Sequence, residues 1–129
     1  EVARALPDPL GEVRKVIAAT KDLRNTQGRL SANLVADAFG ITVSELARHL
    51  GMKRQTLCKS PATAPLQRAL RPYERIARLR STLSHPEFIA WLGRPIWDLD
   101  GRSPLEAIAS GHAEAVADYA EDSLLGTPS

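Results

Sequence analysis

Thr42-Val-Ser-Glu-Leu-Ala-Arg-His-Leu-Gly51-Met-Lys-Arg-Gln-Thr-Leu57 is the stretch whose reading decides the fold. Thr42 and Glu45 stand three residues apart at the head of an apolar run, so the hydroxyl and the carboxylate can each satisfy a free backbone N–H of a helix start. Leu46, Ala47 and Leu50 then recur on one helical face. Ala47 is small where two helices would cross closely. Four residues later comes Gly51, at a turn whose positive φ only Gly adopts without strain. Leu50 and Met52 flank that turn and pack under it, and Leu57 points back into the core. The spacing predicts a helix, a tight turn and a short second helix from about Lys53 to Lys59, which Ser60-Pro61 breaks.

Outward from this stretch the chain reads as helices, with no convincing strand. Asp8-Pro9 is a cap followed by Pro at the first helical position, after which Leu10, Val13, Val16 and Ile17 recur at helical spacing. Asn25 to Gly28 end that helix. Ser31 caps the next, with Leu34, Val35 and Ala38 on one face and Gly40 closing it. Residues 65–83 are helical in pattern, but Pro72 either kinks the helix or starts a new one. Ser84-His-Pro-Glu87 opens a short helix carrying Phe88, Ile89, Trp91 and Leu92, and a Pro95-containing connector leads to Gly101. Ser103-Pro-Leu-Glu106 is a further capping box, and Gly111 ends its helix. A last helix carries Ala113, Val116, Ala117, Ala120 and Leu124 on one stripe, before a loose tail from Gly126 to Ser129.

Composition narrows the function classes. Hydrophobic residues make up 43%, enough for a core, and charged residues make up 25%, which argues against global disorder. The 129 residues suit one compact domain, or two very small ones sharing a core. The single cysteine, Cys58, rules out an internal disulfide and makes a reducing cytosol the natural home. On a short helix it reads as a small packed residue rather than a redox switch. No apolar run is long enough to span a membrane, and no signal-peptide pattern opens the chain. A first residue of Glu rather than Met points to a chain trimmed ahead of it.

Catalysis finds no footing. His49, His85 and His112 are scattered, and no nucleophile elbow, phosphate loop or dinucleotide fingerprint is present. Asp98 and Asp100 are flanked by a Pro loop and Gly101, and read as turn residues. No cofactor and no metal site is expected.

The formal net charge is only +2, but it is unevenly laid out. Between Lys53 and Arg80 stand eight basic residues against one acid, Glu74, and from Trp97 to Ser129 seven acids against Arg102. Either the two blocks meet different partners, one of them anionic, or they pair with each other.

The Ser44–Leu57 spacing resembles the helix-turn-helix of many bacterial repressors, including the Xre-like ones. A second helix exposing Lys53, Arg54, Gln55, Thr56 and Lys59 suits that role. Arg54 and Gln55 fit bidentate contacts to base edges, and Lys53, Thr56 and Lys59 fit phosphates. Arg48 and His49 stand near the DNA backbone. A helical hairpin of the same appearance, or a motif kept only as an oligomerisation scaffold, remains open.

A second pattern is Phe88-x-x-Trp91-Leu92-x-x-Pro95-x-x-x-Leu99-x-Gly101-Arg-Ser-Pro104-Leu105-Glu106-x-Ile108-x-x-Gly111. Its order resembles the toxin-binding domain of the MbcA/ParS/Xre antitoxin family over roughly residues 66–125. Pro72, Ala109-Ser110 and His112 depart from the family pattern. The resemblance implies an antitoxin whose partner is a RES-domain toxin consuming or transferring ADP-ribose from NAD⁺. It further implies inhibition by covering the toxin's NAD⁺ pocket, and repression of its own operon. An NAD⁺ pocket is lined with Arg, so the acidic C-terminal third complements it. Trp97, Arg102, Asp118, Glu121, Leu124, Leu125 and Ser129 are the expected toxin contacts. Trp97 is either an exposed anchor or a core residue.

The expected architecture is all-α: an N-terminal Xre-like helix-turn-helix bundle over 1–62, then a small helical toxin-binding module over 63–129. Operator DNA and the cognate toxin are the expected partners, a homodimer the expected unit within a hetero-oligomeric complex, and no membrane is involved. The competing reading is a stand-alone helix-turn-helix regulator whose C-terminal half only dimerises.

Overall fold

The structure, a computed structural model, describes residues 9–59 and 63–125. Asp8, Ser60-Pro61 and the tail from Gly126 lie outside the described residues. Eight α-helices are found among the described ones: α1 (Pro9–Thr20), α2 (Ala32–Phe39), α3 (Val43–Leu50), α4 (Arg54–Lys59), α5 (Ala64–Ala77), α6 (His85–Leu92), α7 (Pro104–Ala109) and α8 (Ala113–Leu124). Short 3-10 turns cover Lys21–Leu23, Arg78–Ser81 and Trp97–Leu99. The only extended pairing among the described residues is an isolated antiparallel bridge between Arg24 and Leu30. The all-α class expected from the periodicity is therefore observed.

Helix starts follow the local chemistry. Thr42, Ser84 and Ser103 each accept from the backbone N–H three residues on, while Glu45, Glu87 and Glu106 reach back to the cap N–H. Ser31 caps α2 through its hydroxyl. Gly40 and Gly51 close α2 and α3 at φ +69° and +67°, a left-handed conformation that costs Gly little.

Leu23, Phe39, Leu46, Leu57, Leu66, Leu70, Tyr73, Ile76, Phe88, Leu92, Ile108 and Val116 are all essentially buried and belong to one cluster. Each large apolar side chain so buried contributes about 1.5–3 kcal/mol. An aromatic chain crosses the cluster. Phe39 of α2 meets Tyr73 of α5 and Phe88 of α6 edge-on, at 5.2 and 5.4 Å between centroids. Trp91 stacks between Phe88 and Tyr119 of α8. The boundary expected at 62/63 falls in a segment outside the described residues, and side chains from both sides of it share this core.

Pro72 does not start a new helix. Although it lacks the N–H that would bond to the Arg68 carbonyl, α5 runs unbroken from Ala64 to Ala77. Pro72 is itself buried, beside buried Leu70, Tyr73, Ile76 and Ala77, so packing outweighs the missing bond.

α1 departs further from a simple amphipathic reading. Leu10, Val13 and Ile17, three of its four periodic apolar residues, are exposed. The helix is fastened by polar contacts at its C-terminal end instead. Arg80 donates to both carboxylate oxygens of Asp22, at 2.9 and 2.8 Å, and to the Ala19 carbonyl. Arg24 forks onto Glu74 of α5, at 2.9 Å for both bonds, and caps the Gly28 carbonyl. The Gln67 amide completes the junction by exchanging both hydrogen bonds with the Leu30 backbone.

Candidate functional sites

The first candidate surface is α4 with the turn before it. Gly51 turns the chain after α3, where the Gly51 N–H donates to the Arg48 carbonyl and the Met52 N–H to that of Ala47. Leu46, Ala47 and Leu57 are buried, while Leu50 and Met52 pack against the core from its edge. With Leu57 as the inward residue of α4, its other positions face out: Lys53, Arg54, Gln55, Thr56 and Lys59 are all exposed. None of these five side chains has a hydrogen bond or ion pair to another described residue.

Cys58 is exposed, not the packed residue expected from sequence. A six-residue helix buries one position here, Leu57, and the next residue is rotated by about 100° away from the core. Of the two residues expected beside α4, Arg48 is exposed. His49 is half-buried, and its Nδ1 is shut away without a hydrogen-bond partner among the described residues. Burial, then the neighbouring Arg48 charge, push the His49 pKa down. A neutral imidazole is a poor phosphate donor, so Arg48 is the stronger of the two for that contact.

The second candidate surface is the loop between α6 and α7. Trp97 is 90% exposed at its tip. The loop beneath is closed on itself: the Ile96 N–H donates to the Arg102 carbonyl at 3.0 Å, and the Leu99 and Gly101 N–H groups both donate to the Ile96 carbonyl at 3.0 Å. Asp100 adopts φ +58° and Gly101 follows at +77°; Asp is among the few side-chain-bearing residues that enter this region readily. Leu99 anchors the loop against the core. Asp98, Asp100 and Arg102 are exposed around Trp97. A recess of about 220 Å³ opens beside them, lined by Asp98, Leu99, Arg102, Ala107 and His112 among others. Of the two tryptophans, Trp91 takes the core position and Trp97 the surface one.

The acidic helix α8 is tied to α5. Arg75 donates to Glu114 and Asp118, both at 2.6 Å, and to both carboxylate oxygens of Glu121, at 3.0 and 2.7 Å. Arg78 adds a bond to Glu121 at 3.1 Å. The Arg75 pair holds the Glu121 carboxyl below the usual carboxylate range. The basic and acidic blocks therefore do meet in part, and Asp118 and Glu121 have partners within the chain. Leu124 is half-buried against the core, Leu125 is exposed, and Asp122 is exposed without a partner among the described residues. Ser129 lies outside the described residues.

The Arg75 seam is not visible in the sequence. The spacing of Glu114, Asp118 and Glu121 puts three acids on one face of a helix, but nothing in the linear order says which of many arginines they meet.

Among the described residues no three His, Cys, Asp or Glu side chains converge in a way that could hold a metal ion. No helix among them is long and apolar enough to cross a membrane. No family model, curated protein or solved structure matches the chain.

Proposed function

We propose that this chain is an antitoxin that neutralises a RES-type, NAD⁺-consuming toxin, docking on it through the Trp97 loop and the end of α8. In this reading α3 and α4 form a helix-turn-helix that binds the operator of its own operon, and the chain acts as a binding protein in the cytosol. The observation that carries the reading is Trp97. A large aromatic ring almost wholly in water, on a loop closed by its own backbone hydrogen bonds, offers a partner a large apolar area to bury. Trp is among the residues enriched at binding hot spots. Pre-ordering the loop also lowers the entropy cost of docking.

Charge supports the same surface. Asp98 and Asp100 beside Trp97 suit the Arg-lined rim expected of a site that binds a pyrophosphate. Arg102 and Leu125 widen the contact, and Asp118 and Glu121 join it while sharing their charge with Arg75. On the other side, Lys53, Arg54, Gln55, Thr56 and Lys59 stand free for phosphates and base edges. Operators read by such motifs are two-fold, so a homodimer is the working unit.

One observation favours the stand-alone regulator instead. Both acids expected to meet a toxin, Asp118 and Glu121, are already bonded to Arg75. Co-expression with the product of the adjacent reading frame decides between them. The antitoxin reading expects co-purification, suppressed toxicity, and toxicity restored on deleting Leu124 to Ser129. A harmless neighbour that does not co-purify leaves an ordinary repressor.

A further inference from the structure

α5 carries arginines at positions 68, 71, 75 and 78, which fall within one sector of the helix surface. The structure treats the two halves of this stripe differently. Arg75 and Arg78 are matched by the acids of α8. Arg68 and Arg71 are exposed and have no hydrogen bond or ion pair among the described residues. The first acid of α8, Glu114, already bonds to Arg75, and among the described residues no acid pairs with the first two turns of this stripe.

A short stretch of chain separates the free half of the stripe from α4. Lys59 ends α4 four residues before Thr63, which precedes α5, so the two positions are at most about 14 Å apart. Arg68 lies a further 7–8 Å or so along the helix. Leu57 of α4 and Leu66 and Leu70 of α5 are buried in the same cluster. From Leu46 to Tyr73 the chain contains no Asp or Glu, and six Lys or Arg: Arg48, Lys53, Arg54, Lys59, Arg68 and Arg71. All six are exposed. Glu45, one turn before Arg48, offsets part of this charge; the excess of cations that remains suits a polyanion rather than a protein with both signs of charge.

We infer that Arg68 and Arg71 are phosphate-binding residues that extend the α4 surface onto α5 and clamp the backbone of duplex DNA beside the bases that α4 reads. This rests on the DNA-binding half of the proposed function. Three residues separate the pair by about 4.5 Å along the axis, a spacing their long side chains can open to reach successive phosphates. The planar guanidinium forks suit bidentate phosphate contact. Contacts of this kind position the protein and carry no sequence information, so they act on every duplex alike.

The test is fluorescence anisotropy of a short mixed-sequence duplex, titrated with the full chain over a range of salt concentrations. The doubly substituted R68Q/R71Q chain should bind more weakly, with a log–log salt slope shallower by about 1.8, or about 0.9 for each phosphate no longer neutralised. R94A, at an exposed arginine just after α6, should leave the slope unchanged. Circular dichroism and the thermal midpoint check that the variants fold. If the unaltered chain binds DNA and the R68Q/R71Q slope equals its own, the clamp is wrong and the α4 assignment stands. If the unaltered chain binds no duplex, the DNA-binding reading itself fails and takes the clamp with it. Binding to anionic phospholipid vesicles but not to the duplex would overturn the inference in favour of a membrane surface.

Discussion

Arg75 and Glu121, 46 residues apart in sequence, share a two-pronged ion pair in which Nε and Nη2 each hold one carboxylate oxygen. The same guanidinium also reaches Glu114 and Asp118. One side chain thus fastens the surface edge of α8 to α5, above the buried stripe of Val116, Ala117 and Ala120.

Arg75→Ala should therefore loosen α8 more than a surface substitution would. Glu114 and Asp118 are largely in water, so their share is small, while Glu121 is two-thirds covered. The expected destabilisation is about 1–2 kcal/mol, read as a lower urea midpoint. A midpoint equal to that of the parent chain would mean that the apolar stripe alone holds the helix.

Much of this architecture is legible in the linear chain. The caps at Ser31, Thr42, Ser84 and Ser103 and the stops at Gly40, Gly51 and Gly111 are local chemistry, decided within four residues, and each appears where the spacing predicts. The rest turns on how loops close, where short helices stop and which distant side chains meet. Trp91 and Trp97 look alike in sequence, and only the closure of residues 96–102 sends one to the core and the other to water. Cys58 is exposed because α4 is too short to bury a second position. The apolar stripe of α1 suggests burial, yet the helix is held at its end rather than by that face, where the distant Arg80 bonds to Asp22.

Acidification should weaken the fold in two windows. The His49 pKa is lowered, chiefly by burial, so the unfolded chain takes up its proton first, and stability falls as pH drops below the ordinary His value of 6.5. Glu45, Glu87 and Glu106 are lowered by their capping hydrogen bonds and Glu121 by Arg75. Their contribution is complete above the ordinary carboxylate range and disappears as pH falls through their depressed values. Urea midpoints across this range should fall in both steps, and His49→Gln should remove the first step alone. A midpoint that rises on acidification contradicts the sign.

Gly40 and Gly51 should differ in their tolerance of a side chain. At Gly51 a Cβ meets nothing within 4 Å, so Gly51→Ala adds only the left-handed backbone penalty of about 1–2 kcal/mol. At Gly40 the same Cβ would stand 3.3 Å from Cδ1 of Ile89, so Gly40→Ala should lower the thermal midpoint further. Equal effects at the two positions would mean that Ile89 moves aside freely.

The two tryptophans give a spectroscopic check on the loop. Trp97 in water should emit at longer wavelength and be quenched by iodide, while Trp91, stacked on Phe88 and Tyr119, should resist. Trp97→Phe should therefore shift the emission to the blue and remove most of the quenching. A spectrum indifferent to that substitution would place Trp97 against the protein.

The most direct test of the docking claim is the NAD⁺ consumption of the neighbouring gene's product, assayed with the full chain and with its Trp97→Ala variant at matched concentrations. The account predicts that the full chain silences consumption and that the variant, still folded by circular dichroism, restores most of it. Silencing by the variant at the same concentration as the full chain would contradict it.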